Sequence, residues 1–87
     1  MFDFASKDGL IVGEVKTSEP NKQNPNGPLR SAVKGDLCRD CLLMMAVKRA
    51  KRRILVLTNK TVYEKFMATQ YGLATKVLRI EVFPVEV

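Results

Sequence analysis

Residues 2–17 read FDFASKDGLIVGEVKT and decide the fold, because they predict a β-hairpin. Asp8-Gly9 separates two alternating segments, and such a pair is a strong signal for a two-residue type I′ turn with positive φ at both positions. With that turn Lys7 lies opposite Leu10, and the pairing of every other residue follows from this one. We therefore expect residues 1–16 to form a tight hairpin.

Three charged side chains of this hairpin are expected on one surface. The pairing places Asp3 directly opposite Glu14, with Cβ atoms about 5 Å apart, and Lys16 points to the same side as Glu14. Two carboxylates so close repel each other unless both are solvated, one is protonated or a cation lies between them. The apolar residues of the opposite face are expected to point towards a core: Phe2, Phe4, Ile11 and Val15.

These residue types suit the hydrolysis of a phosphodiester bond. Carboxylate oxygens of Asp3 and Glu14 are suitable ligands for Mg²⁺ or Mn²⁺, which keep bound waters and accept phosphate oxygens. Lys16 can position an attacking water and stabilise charge that grows on the phosphate. The chain contains no histidine, which excludes catalytic triads and metal sites built on histidine.

The middle of the chain predicts a loop and an apolar helix. Residues 17–34 hold three of the four prolines and show no sustained period, so we expect a mobile loop. Asp36 can cap a helix over residues 37–50, in which every residue from 41 to 47 is apolar. A monomer of 87 residues rarely covers such a helix on all sides, so the sequence predicts a homodimer through helix 37–50.

The last third of the chain predicts a strand, a helix and a strand. The apolar run 54–57 is typical of a strand that is covered on both faces and parallel to its neighbours. Thr61 and Glu64 form a capping box for a helix through about Gln70, which Gly72 closes. Residues 77–87 alternate, and Pro84 either makes this last strand an edge strand or ends its pairing. The prediction is one α/β domain over residues 1–87, with a mixed β-sheet, packed helices and the order β-β-α-β-α-β.

The hairpin, with Asp3 before the turn and Glu14-Val15-Lys16 after it, resembles the PD-(D/E)XK nuclease superfamily. The resemblance implies that Asp3, Glu14 and Lys16 are catalytic and that Asp3 and Glu14 hold Mg²⁺ or Mn²⁺. Helix 37–50 and strand 54–57 would correspond to the helix and strand that follow the motif. Phe2 stands where the family usually has proline. The implied fold is a restriction-endonuclease-like core that lacks the usual first helix and strand.

The charge balance indicates the partner class. Lysine and arginine total 15 against nine acidic residues, and the net charge of +6 favours polyanions such as nucleic acid. Lys22, Arg30 and Lys34 can follow a nucleic-acid backbone, and an ordinary polar loop is an equal alternative. The basic run 48–53 is more typical of a solvated helix end. The longest apolar run is too short to cross a bilayer, and we expect a cytoplasmic protein without a membrane role.

Two further interpretations remain open at this stage. The pair Cys38 and Cys41 lacks the other ligands that a structural zinc site needs, so buried thiols that pack as small apolar groups are favoured. The chain could also be a catalytically inactive module that binds nucleic acid or protein on the same fold, or an accessory subunit that docks through its apolar helix.

Overall fold

The structure is a computed structural model and describes residues 2–85. Four strands form one sheet in the order β1-β2-β3-β4, and three helices connect and cover them. In chain order the elements are β1 (Phe4–Ala5), β2 (Ile11–Lys16), α1 (Ser31–Met45), β3 (Arg52–Leu57), α2 (Lys60–Met67), α3 (Gln70–Val77) and β4 (Ile80–Pro84). The predicted α/β class and mixed sheet are confirmed, and the order contains one helix more than expected.

The hairpin turn is wider than the sequence suggested. The backbone N–H of Gly9 donates to the carbonyl oxygen of Ser6 at 3.0 Å, and the N–H of Ser6 donates to the carbonyl of Ile11 at 2.9 Å. Gly9 has a φ of 75°, whereas Asp8 does not have positive φ. The prediction of a two-residue type I′ turn is therefore wrong. Asp8 instead stabilises a longer turn, because its carboxylate accepts the N–H of Leu10 at 3.0 Å.

The strand register is the expected one despite the different turn. Phe4 pairs with Gly13 and Ala5 pairs with Val12 in the antiparallel β1–β2 ladder. The loop of residues 7–10 has the same centre as the predicted two-residue loop, so widening the turn leaves every pairing unchanged. The register is what brings the charged residues together.

All other pairings in the sheet are parallel. β3 lies between β2 and β4 and runs parallel to both, as its continuous apolar run predicted. The two crossovers move in the same direction across the sheet, and the common right-handed connection therefore places α1 and α2 on the same face. The core is accordingly a single layer between that face and the helices, formed by the strand residues Val12, Leu55, Leu57 and Ile80 with Leu37, Met44, Val62 and Phe66 from the helices.

The prediction of which hairpin face meets the core is wrong. The helices cover the face of Val12, Glu14 and Lys16, since these residues are in register with Arg53, Leu55 and Leu57 of β3. Phe4 and Val15 point to the other, uncovered face and are 37% and 39% exposed. The sheet face with the charged residues was expected to be solvated, yet it is the face on which the helices pack. Partly buried Phe2 does pack against the core.

Helix α1 begins earlier than predicted. It starts at Ser31 and ends at Met45, so residues 31–34 are helical and Asp36 lies inside the helix instead of capping it. The connecting loop is held in place by Lys65, whose ammonium donates to the carbonyl oxygens of Pro25 and Gly27 at 2.5 and 2.6 Å. The loop thus covers residues 17–30, and its mobility stays a prediction.

The predicted single helix after β3 is two helices. Asn59, and not Thr61, caps α2 by accepting the N–H of Val62, and Thr69 caps α3 by accepting the N–H of Gly72. Gly72 was expected to close a helix but lies in the first turn of α3, where it allows the backbone of α2 to approach closely. The last strand begins at Ile80 and not at residue 77. β4 lies at the sheet edge as predicted, and residues 86 and 87 of the expected strand are outside the described residues.

Candidate functional site

Asp3 and Glu14 lie side by side across the hairpin, as the sequence predicted. The ladder that pairs Phe4 with Gly13 sets Asp3 beside Glu14 at the next position. Asp3 is the residue before β1. Its carboxylate Oδ2 accepts the backbone N–H of Val15 at 2.7 Å. This bond ties the residue before β1 to the far end of β2 and fixes the Asp3 carboxylate beside the Glu14 side chain.

The two carboxyl groups have opposite pKa shifts. The hydrogen bond from the Val15 N–H lowers the pKa of Asp3, and a hydrogen bond with the Glu14 carboxyl lowers it further. Burial raises the pKa of Glu14, and the hydrogen bond and negative charge of Asp3 raise it more. Asp3 is therefore the carboxyl group that ionises more readily, and Glu14 is the one that takes up a proton first as the pH falls.

Lys16 also lies near this pair, but its closest partner is on a helix. Its ammonium is 3.0 Å from Oδ2 of Asp40 in α1, and the positive charge of Lys16 lowers the pKa values of both Asp3 and Glu14. The negative charge of Asp40 in turn raises the pKa of Glu14. The site therefore consists of three carboxyl groups and one ammonium, carried by the hairpin and α1.

Sequence reasoning missed Asp40, although the pattern contained a signal for it. The buried stripe of α1 is formed by Val33, Leu37, Asp40, Cys41 and Met44. Helical spacing from Leu37 and Met44 places residue 40 on this stripe, and a carboxylate at a buried helix position calls for a charged partner.

Asp3 and Glu14 are the two residues that could hold a hard divalent cation. Mg²⁺ is commonly bound by one or two protein carboxylates, with waters and phosphate oxygens completing its shell. Within residues 2–85 the structure contains no group of three or more acidic, cysteine or histidine side chains arranged to hold a metal ion. The protein would therefore supply two ligands and leave the remaining positions to water and substrate.

The predicted phosphate-binding cations lie along the loop and the start of α1. Lys22 is exposed and pairs with Glu19 at 3.4 Å, whereas Arg30 is the exposed residue that precedes α1. Lys34 lies in α1, not in the loop, and is half-buried. These cations are accessible to a large anion, and their role in binding nucleic acid stays a prediction.

The basic run at residues 48–53 is divided between two roles. Arg53 donates from Nε to the carbonyl oxygen of Met44 at 2.9 Å and from Nη2 to that of Val47 at 2.8 Å. These bonds provide hydrogen-bond donors for carbonyl groups at and just after the end of α1. Arg52 lies on the uncovered sheet face, where its guanidinium binds the Glu81 carboxylate through two bonds of 2.8 Å. The run does not belong to a helix end, because α1 ends at Met45, and the cation at the α1 C-terminus is Arg53 of β3.

The two cysteines are free thiols packed among apolar residues. Cys41 belongs to the core cluster, and Cys38 is half-buried one turn before it. Burial raises the pKa of Cys41 to about 11, with further contributions from Cys38 and Asp40. Cys41 thus packs as a small apolar group, as the favoured interpretation of the pair expects, and Cys38 does so only in part.

Comparison with protein families, with curated proteins and with solved structures finds no match to this chain. Among the described residues, none of the helices has the length and apolar character needed to cross a membrane. Arguments about function therefore start from the arrangement of Asp3, Glu14, Lys16 and Asp40.

Proposed function

We propose that this chain is a small restriction-endonuclease-like protein that hydrolyses phosphodiester bonds of nucleic acid with Mg²⁺ or Mn²⁺. The observation that carries the proposal is the meeting of Asp3 and Glu14 across the hairpin, with Lys16 on the same face as Glu14. Two carboxylates and a lysine at this spacing are the residues on which the resemblance to PD-(D/E)XK nucleases rests.

Each residue has a distinct part in the proposed reaction. Asp3 and Glu14 would hold the divalent cation with both carboxyl groups ionised. The cation, when bound, supplies positive charge to the phosphate and acidifies a coordinated water. Lys16 orients the water from the Glu14 side and stabilises negative charge on the phosphate oxygens.

The substrate class follows from charge and position. The chain has a net charge of +6, and the connection from β2 to α1 carries Lys22 and Arg30. Arg30 precedes Asp40 by ten residues of α1, or about 15 Å along the helix axis. A polyanion seated at Glu14 and Lys16 would have to extend only that far to contact Arg30. Nucleic acid offers phosphates over such a length, whereas a single small phosphate ester does not.

Metal titration followed by a cleavage assay tests the proposal. Calorimetry with Mn²⁺ should show binding to the wild-type protein and a loss of binding in Glu14→Ala. Cleavage of single- and double-stranded DNA and RNA with Mg²⁺ or Mn²⁺ should require Lys16, so Lys16→Ala should bind Mn²⁺ without cleaving. Glu64→Ala, which removes an exposed carboxylate on α2, is the matched control and should behave as wild type.

A catalytically inactive binding module is the second candidate. It is favoured by the ion pair of Lys16 with Asp40, which occupies the ammonium, and by the two-carboxylate ligand set. Such a module would bind nucleic acid through Lys22, Arg30 and Lys34 with an affinity that falls as salt is added, because counterions are released on binding. If the protein binds nucleic acid but cleaves it with none of the divalent metals tested, the binding module is favoured over the nuclease.

A further inference from the structure

Asp40 is a buried carboxylate in an apolar setting. It is 7% exposed and lies on the α1 stripe between Leu37 and Met44, both of which are fully buried. Burying a charge is costly unless it is paired, and replacing a buried ion pair with apolar residues is often neutral or stabilising. Packing alone therefore does not account for a carboxylate at this position.

The pairing of Asp40 is incomplete. The ammonium of Lys16 lies 3.0 Å from Oδ2, yet within residues 2–85 that buried oxygen has no hydrogen bond of good geometry. Lys16 is thus held by charge, and its side chain is 24% exposed.

Without Asp40, the ammonium would have a different best partner. Glu14 is on the same strand face as Lys16, and Asp3 lies beside Glu14. A lysine has a flexible stem, and its ammonium would move onto these carboxylates if they were the only negative charges within reach. It would then occupy the position in which a divalent cation has to bind.

We propose that Asp40 is a positioning residue that holds the Lys16 ammonium beside, and not between, the carboxylates of Asp3 and Glu14. The inference rests on the proposed metal-dependent function and deepens it, because it assigns a task to a residue outside the hairpin motif. In this role Asp40 acts through Lys16, whose ammonium it holds away from the position between the two carboxylates.

A double-mutant cycle on Mn²⁺ affinity tests this assignment without depending on cleavage. Asp40→Asn should weaken Mn²⁺ binding by about 10-fold or more, the range found when an outer partner of a metal site is removed. In a Lys16→Met background, the same Asp40→Asn change should leave Mn²⁺ affinity unchanged, because no ammonium remains to occupy the site. Asp36→Asn is the matched control, since it removes an exposed carboxylate from α1 that pairs with Arg39.

The outcomes separate this inference from the proposed function. A wild-type chain that binds Mn²⁺ and an Asp40→Asn variant of equal affinity overturn the positioning role alone. An equal loss of affinity in both backgrounds also overturns it, because Asp40 would then act on the cation directly. A wild-type chain that binds no Mn²⁺ overturns the proposed function and the inference together.

A second variant covers the possibility that Asp40→Asn does not fold. The double change Asp40→Leu with Lys16→Met removes both charges of the buried pair and leaves no unpaired charge in the core. Its Mn²⁺ affinity should equal that of Lys16→Met alone. A lower affinity than that of Lys16→Met would contradict the inference.

Discussion

The carboxylate of Asp3 accepts the backbone N–H of Val15 at 2.7 Å, and this bond holds Asp3 beside Glu14. The bond crosses from the residue before β1 to the end of β2, so it stabilises the hairpin and brings two like charges together at the same time. A single interaction thus links the fold of the hairpin to the electrostatics of the candidate site.

The first prediction is that Glu14→Gln stabilises the metal-free protein at neutral pH. The pKa of Glu14 is raised in the folded state, chiefly by burial, so its favourable contribution is present at low pH and is lost as pH rises through the raised value. Like charges directly opposite in a sheet cost about 0.5 kcal/mol, which corresponds to a gain of about 3 °C in Tm for the variant. Thermal unfolding followed by circular dichroism measures the difference.

The pH dependence of that difference is the control for the first prediction. The gain in Tm should shrink as the pH falls below the ordinary range of glutamate, where the wild-type side chain is protonated and resembles glutamine. Glu64→Gln should leave Tm unchanged, since Glu64 is exposed on α2. An advantage of Glu14→Gln that grows towards low pH would contradict the raised pKa of Glu14.

The second prediction concerns the pH dependence of metal binding. Glu14 must lose its proton to bind a cation, and its pKa is raised by burial and by Asp3. Mn²⁺ affinity should therefore increase as the pH rises above the ordinary glutamate range and should level off once Glu14 is ionised. Calorimetry in buffers of different ionisation enthalpy should detect proton release within this range. A Mn²⁺ affinity that no longer changes with pH above the ordinary glutamate pKa would contradict this prediction.

The third prediction concerns the packing of α3 on α2. A Cβ at Gly72 would lie 2.5 Å from both Met67 Cα and Phe66 O, which are backbone atoms that have little room to move. Gly72→Ala should therefore destabilise the protein by about 1–3 kcal/mol, measured by urea unfolding. Gly35→Ala is the matched change in α1, where a Cβ meets nothing within 4 Å. It should stabilise the fold by up to about 1 kcal/mol through helix propensity.

The fourth prediction is that Lys65 restrains the loop of residues 17–30. Its ammonium donates to the carbonyl oxygens of Pro25 and Gly27, and both bonds disappear in Lys65→Met. Limited digestion with trypsin should then cut faster after the exposed Lys22, with the fragments identified by mass spectrometry. Lys60→Met, at the exposed first position of α2, should leave the rate of cleavage after Lys22 as in wild type. Equal rates in both variants would show that the loop is held by other contacts.

The hairpin register and the parallel central strand were predictable because both depend on short-range patterns. Asp8-Gly9 marks a reversal whose centre is set by the sequence, and a change of turn type about the same centre leaves Phe4 opposite Gly13. The continuous apolar run 54–57 is typical of a parallel strand that is covered on both faces, and this pattern also involves only neighbouring residues. Asp3 and Glu14 could be paired from sequence alone since their meeting needs nothing beyond this register.

Two features depend on tertiary structure: which face of the sheet the helices cover, and the pairing of Lys16 with Asp40. Nothing in the alternation of residues 11–16 shows which side of β2 the helices will cover, because Ile11 and Val15 are as apolar as Val12. The handedness of the two crossovers decides this point, and it places Lys16 beneath α1 and beside Asp40. The partner of Lys16 could have been found from sequence only by combining the helix stripe with the correct sheet face.

The last prediction is the homodimer through α1. Leu42 and Leu43 remain 68% and 53% exposed, so the fold leaves part of the predicted apolar helix uncovered. Light scattering should give twice the chain mass of 9.8 kDa for the wild type, and Leu42→Lys should give the monomer mass, because a charge at an apolar interface is costly to bury. Phe83→Lys is the matched change on the uncovered sheet face, where Phe83 is 43% exposed. If Phe83→Lys dissociates the dimer and Leu42→Lys does not, the sheet face is the interface and the prediction for α1 is wrong.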